Sequence, residues 1–174
     1  MDESQFWSII DESLKKSAGS FDAQEEALHN LLKALLIDEI DQFVKMFHKF
    51  EQDAYRWDIW AAAYLVGGGC SDDSFMDFRS WLISRGQTAY DRVIETPDNL
   101  ADIDPGEDYF FESFQYIPSE VYKECSGEEW KDISGICRHR EPGKPDWDFD
   151  FDNDEEMSCR LPRLWEKEQR AKNR

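Results

Sequence analysis

The chain has 174 residues, 39 acidic and 20 basic, for a formal net charge of −19; 40% are hydrophobic, with seven Trp and twelve Phe. That aromatic content excludes a disordered chain and predicts one core of ordinary domain size, while the charge opposes binding to nucleic acid or to an anionic membrane surface and favours a basic protein as partner. No stretch approaches the roughly 18 apolar residues of a membrane-spanning helix, and residues 1–7 carry acids where a secretory leader needs a basic start, so a cytoplasmic protein with reduced Cys70, Cys125, Cys137 and Cys159 is expected.

Asp2 and Gln5 have the form of a capping box ahead of Phe6, Ile9, Ile10 and Leu14, a helical face that Gly19 brings to a stop. Asp22 with Glu25 repeats the box before a stripe of Leu28, Leu31, Leu32 and Leu35. Asp38 is expected to open a third helix, in which Ile40, Phe43, Val44, Phe47 and Phe50 recur at helical spacing. Residues 55–82 read as the centre of the fold. Trp57, Trp60, Ala61 and Tyr64 fall at i, i+3, i+4 and i+7 and are expected in the core; Gly67, Gly68 and Gly69 end that helix; Ser71 or Asp72 caps the next, which buries Phe75, Phe78 and Leu82.

Residues 87–95 read as a short helix stopped before Pro97, because proline disfavours helical geometry in the residue preceding it. The aromatics Tyr109, Phe110, Phe111, Phe114, Tyr116 and Tyr122 predict a buried helix interrupted near Pro118, with a strand as the other option. Beyond Ser126 turn formers dominate, and the alternation Asp146-Trp147-Asp148-Phe149-Asp150-Phe151-Asp152 reads as an extended arm pinned by its rings, since a strand with an acid at every second position repels itself. Pro162 suits the first turn of a terminal helix carrying Leu161, Leu164 and Trp165. The expected fold is therefore all-α, an irregular bundle of about six to eight helices in one domain over residues 1–174, with an extended acidic arm over 142–160.

The central run Trp-Asp-Ile-Trp-Ala-Ala-Ala-Tyr-Leu-Val-Gly-Gly-Gly-Cys-Ser-Asp-Asp-Ser-Phe-Met-Asp-Phe-Arg-Ser-Trp-Leu-Ile-Ser-Arg-Gly, residues 57–86, resembles the bacterial domain-of-unknown-function family DUF4240. The resemblance reads from Phe6-Trp7 through Pro97-Asp98-Asn99-Leu100 to the acidic arm and Leu161-Pro162-Arg163-Leu164, nearly the whole chain. It implies a bacterial, cytosolic, helical protein and brings no activity.

Gly69-Cys70-Ser71-Asp72-Asp73 comes near a nucleophile elbow, but Asp73 stands where the second glycine is needed and a helix precedes it, so Ser71 reads as a helix cap. Asp58, Asp72, Asp73 and Asp77 are positioned to converge where the two central helices meet, and clustered carboxylates can hold magnesium or act as acid and base. The simpler reading has Asp72 or Asp73 complementing a helix N-terminus and Arg79 pairing with a nearby acid. A calcium loop fails in the arm, because registers from Asp146, Asp148 or Asp150 place Met157, Cys159 or Leu161 where a bidentate Glu is required. Cys125, Cys137, His139 and Cys159 lack the paired spacings of zinc sites, and His29 and His48 read as surface residues.

No cofactor is expected. With no complete catalytic motif, the charge points to a binding or regulatory module for a basic protein, antitoxin- or immunity-like, with Asp58, Asp72, Asp73, Arg79, Asp148, Asp150, Asp152 and Asp154 as candidate binding residues. The alternative is a metal-assisted hydrolase or transferase using the carboxylates of the glycine-rich corner.

Overall fold

The fold comes from a computed structural model, which describes residues 1–131, 142–143, 147 and 149–173. Cys137, His139, Asp146 and Asp148 lie outside the described residues. The chain is all-α: α1 (Glu3–Ser17), α2 (Phe21–Lys33), α3 (Ile37–Asp53), α4 (Trp57–Gly67), α5 (Asp72–Ser84), α6 (Gln87–Glu95), α7 (Ile117–Ser126), α8 (Asp154–Arg160) and α9 (Pro162–Lys172), with 3-10 turns at Pro97–Asp102 and Ser113–Gln115. Among the described residues there is no strand, and one parallel bridge joins Arg56 to Gly143.

Local chemistry accounts for most helix ends. Asp2 accepts from the Gln5 amide and Gln5 returns the bond to Asp2, the expected box at α1. At α2 the cap is Ser20, which leaves Asp22 inside the first turn, where its charge still favours the helix dipole. Asp38 likewise sits in the first turn of α3, and Glu39 reaches back to the Leu36 amide. Pro118 lies in the first turn of α7 and so begins that helix where an interruption was expected, because its missing N–H is not needed there. The arm is not extended throughout: residues 154–160 form α8, with Asn153 accepting from the Glu155 and Glu156 amides and acids filling the first turn.

α1 pairs with α2, α7 lies across α2 and α3, α5 meets α1, α3 and α4, and α9 returns to cover α4 and the Pro97–Asp102 turn. Phe6, Trp7, Phe43, Phe50 and Tyr90 form an aromatic cluster with ring centroids 4.6–5.4 Å apart, and the Tyr90 hydroxyl donates to the Phe50 carbonyl at 2.7 Å. The same continuous core includes Met157, Leu161 and Leu164 from the C-terminal segment. Asp98 is buried, and its carboxylate accepts from the backbone amides of Arg163 at 3.2 Å and Leu164 at 2.9 Å, so α9 receives its N-terminal cap from a residue 65 positions earlier.

The central helix differs from its expected orientation. Ile59, Ala61, Ala62, Ala63 and Leu65 are buried, whereas Trp57, Trp60 and Tyr64 are only partly buried, on the outer side, with Trp60 packed against the core. Three alanines let neighbouring helices approach closely on the inner side, and the bulky rings occupy the side with room for them.

Candidate functional site

The outer side of α4 carries a continuous wall of rings. Trp57 stacks on Trp60 at 5.4 Å and Tyr55 lies 6.2 Å from Trp60, while the fully buried Phe75 backs them, 4.7 Å from Trp60 and 5.8 Å from Tyr55. From the other end Phe151 of the arm packs edge-on against Tyr64 at 5.6 Å and Trp57 at 6.3 Å, and Phe149 follows at 5.7 Å from Phe151. The arm is held by backbone as well: the Gly143 amide donates to the Tyr55 carbonyl at 2.6 Å, and the Trp57 amide donates to Gly143 at 3.3 Å. The expectation that Trp147, Phe149 and Phe151 anchor the arm agrees with their partial burial against the core.

Carboxylates edge this wall at both ends. Ser71 caps α5, its hydroxyl accepting from the Ser74 amide at 3.2 Å, and Asp72 and Asp73 lie exposed in the first turn, favoured by the helix dipole. Tyr55 donates its hydroxyl to Asp72 at 3.4 Å. Across the wall Asp152 accepts from the Tyr64 hydroxyl at 2.6 Å, Asp150 accepts from the Asp152 amide at 3.0 Å, and Asp154 opens α8. Both tyrosines are held above the ordinary phenol range, Tyr55 by burial and then the Asp72 charge, Tyr64 by its bond to Asp152 and then burial.

Two expected members of the site serve the fold. Asp58 is buried and receives both Nε and Nη2 of Arg56, at 3.0 and 2.5 Å, while Arg56 Nη1 donates to the Ile94 carbonyl at 2.9 Å. Asp58 therefore closes the α3–α4 link onto α6 and does not converge with Asp72 and Asp73. Arg79 is also buried, and its partners are not acids: Nη1 donates to the Glu51 carbonyl at 2.9 Å, Nε to the Phe75 carbonyl at 3.3 Å, and the guanidinium lies 4.7 and 5.1 Å from the Tyr55 and Phe75 ring centres. Burial lowers its pKa, and the nearby charge of Glu51 opposes the shift most. Arg79 thus supports the wall from beneath through cation–π contact.

Cys70 is pushed up to about 12 by burial and then by the Asp77 charge, which keeps it a thiol and removes it as a nucleophile at neutral pH. Cys70, Cys125 and Cys159 are free thiols. Among the described residues no three His, Cys, Asp or Glu side chains come together as a metal site. His29 contacts Glu124 at 3.1 Å and so links α2 to α7, whereas His48 contacts Glu51 at 2.9 Å within α3.

Sequence reasoning missed Tyr55 and Tyr64 as hydroxyl donors to the flanking acids. The available signal was the Ala61-Ala62-Ala63 run, which marks the crowded side of α4 and so assigns the larger side chains to the other.

A family model described as a protein of unknown function, DUF4240, matches residues 1–124. The acidic arm and Leu161-Pro162-Arg163-Leu164 lie beyond the matched segment. No curated protein and no solved structure matches the chain. Among the described residues no helix is long and apolar enough to cross a membrane.

Proposed function

The chain belongs to the DUF4240 family, and on that premise, which carries no activity with it, we propose that it is a bacterial, cytoplasmic binding module that engages a basic protein partner through the aromatic wall and its flanking carboxylates. The observation that carries this reading is the continuity of the wall from Tyr55 to Phe151, with Asp72 and Asp73 at one end and Asp150, Asp152 and Asp154 at the other. Rings attract a guanidinium or ammonium through their faces, and carboxylates at the edge complete the contact. The arm holds one such pairing internally: the Arg160 guanidinium lies 5.1 Å from the Trp147 ring centre and 4.8 Å from that of Phe149, and Glu156 accepts from its Nε at 2.9 Å. A net charge of −19 steers a basic partner toward the protein over long range, and neutralisation of a basic toxin, antitoxin- or immunity-like, is the form of binding this charge suits.

The test is capture from host lysate by the parent and by a variant with Asn at Asp72, Asp73, Asp150, Asp152 and Asp154. One dominant basic protein captured at low salt, released as salt rises and absent with the folded variant, is the expected result, because exposed charges are screened by salt. Identical capture by both proteins removes the carboxylates from the function.

A further inference from the structure

On another face, a groove of about 390 Å³ lies between the end of α1, the start of α6 and the connector after Asp102, with apolar walls from Leu14, Ala89 and Ile103. Its charged groups fall into two sets. Asp102 accepts from Arg92 at 2.7 Å and also pairs with Arg163, so both of those guanidinium groups already hold a carboxylate partner. Arg85 and Asp104 are not in ion contact; burial lowers the Arg85 pKa, and the nearby Asp104 charge opposes that shift.

Arg85 is held rigidly. Nη2 donates to Gln24 Oε1 at 2.6 Å, Nε donates to Ser84 Oγ at 3.2 Å, and the guanidinium lies 5.5 Å from the Phe21 ring centre. Gln24 is fully buried, and its own Nε2 donates to the Ser84 carbonyl at 2.7 Å, which turns the amide oxygen toward Arg85. The remaining nitrogen, Nη1, donates to no described residue and borders Gly106, where an added Cβ would lie 2.9 Å away. A positioned guanidinium with one nitrogen left to donate suits a carboxylate, which takes a charge-assisted bond from it. Asp104 at the same groove supplies the opposite charge.

We propose that this groove binds a small zwitterion, an α-amino acid with an apolar side chain, whose carboxylate meets Arg85, whose ammonium meets Asp104 and whose side chain lies against Leu14, Ala89 and Ile103. The volume accommodates one such molecule and falls within the range of small-ligand sites. This site is separate from the aromatic wall and stands independently of the basic-partner reading.

The test is calorimetric titration of the intact chain with L-valine, L-leucine, L-methionine and L-phenylalanine, then with 4-methylpentanoate and 3-methylbutylamine, which are leucine without its amine and without its carboxylate. Saturable binding of at least one amino acid is expected, with each half-ligand weaker by about tenfold or more, because each loses one charge-assisted contact. Asp104→Asn should weaken the amino acid while leaving 4-methylpentanoate unchanged, and Ala89→Phe should abolish both by filling the groove. Arg85→Gln should weaken both; if it disturbs folding through Gln24, the other two variants carry the test. No saturable binding by any of the four amino acids up to about 10 mM overturns the proposal, as does binding unchanged in Asp104→Asn and Ala89→Phe.

Discussion

Replacing Asp98 by Ala tests how the C-terminal segment is fastened to the family-matched part of the chain. The carboxylate takes two backbone amides from the first turn of α9, Leu164 at 2.9 Å in a buried position and Arg163 at 3.2 Å near the surface. Leaving the Leu164 N–H without an acceptor costs about 1–3 kcal/mol, while the Arg163 N–H is reached by water and loses a few tenths, so the expected loss is about 2 kcal/mol. Asp98→Asn keeps one oxygen, enough for the buried Leu164 amide, but turns a donor toward the Arg163 amide and forfeits the charge's interaction with the helix dipole, so its loss should be about 1 kcal/mol, smaller than that of Asp98→Ala. Urea denaturation followed by tryptophan fluorescence measures both, and limited proteolysis locates the effect, because cleavage within α9 should accelerate in Asp98→Ala. An Asp98→Ala protein within about 0.5 kcal/mol of the parent, below the usual range for a lost cap, would refute the reasoning.

Trp81 is fully buried and donates Nε1 to the Pro105 carbonyl at 3.0 Å, so Trp81→Ala should cost about 3–5 kcal/mol; the partly buried Trp60 should cost about 1–2 kcal/mol less when truncated, and the reverse order in a denaturation series would contradict the rotation of α4. Asp77 is held above the usual carboxylate range by burial first and then by the Glu112 charge. Its folded pKa exceeds the unfolded one, so ionisation opposes folding above the folded value and the penalty disappears as pH falls below the unfolded value. Asp77→Asn, which keeps an acceptor for Gln115, should therefore raise the melting midpoint near pH 7 and match the parent in acid; thermal melts across pH decide this. Gly68 closes α4 at φ 63° with open space around it, so Gly68→Asn should be tolerated and Gly68→Val should cost roughly 1–2 kcal/mol, again by denaturation.

Apart from α8, which was expected as extended arm, the helices and their order were legible because each signal is local. The Asp2–Gln5 box, the stripe from Ile40 to Phe50, the glycines after Val66, the Ser71 cap and Pro162 at a first turn act over a few residues and need no distant partner. Ser71 could also be separated from a nucleophile by sequence, since a helix precedes it. Which face of α4 turns inward was legible only from the Ala61-Ala62-Ala63 run, not from the spacing of the rings. Helical spacing places Trp57, Trp60 and Tyr64 on one side but does not say which side neighbouring helices crowd, and an apolar helix satisfies the pattern in more than one rotation.

The roles of charged residues were equally beyond local reading, because they depend on what the fold brings near. Arg56 meets the Ile94 carbonyl, Arg79 meets the Glu51 carbonyl and the Tyr55 ring, and Asp98 finds the amides of α9. Composition set the acidity and the aromatic supply, and helical periodicity set the all-α class. Tertiary packing decided that the arm joins α4 to make one surface, and that Arg85 and Asp104 face a common groove. Such pairings join residues separated by long stretches of chain, and their energies arise only once the core has brought those residues together.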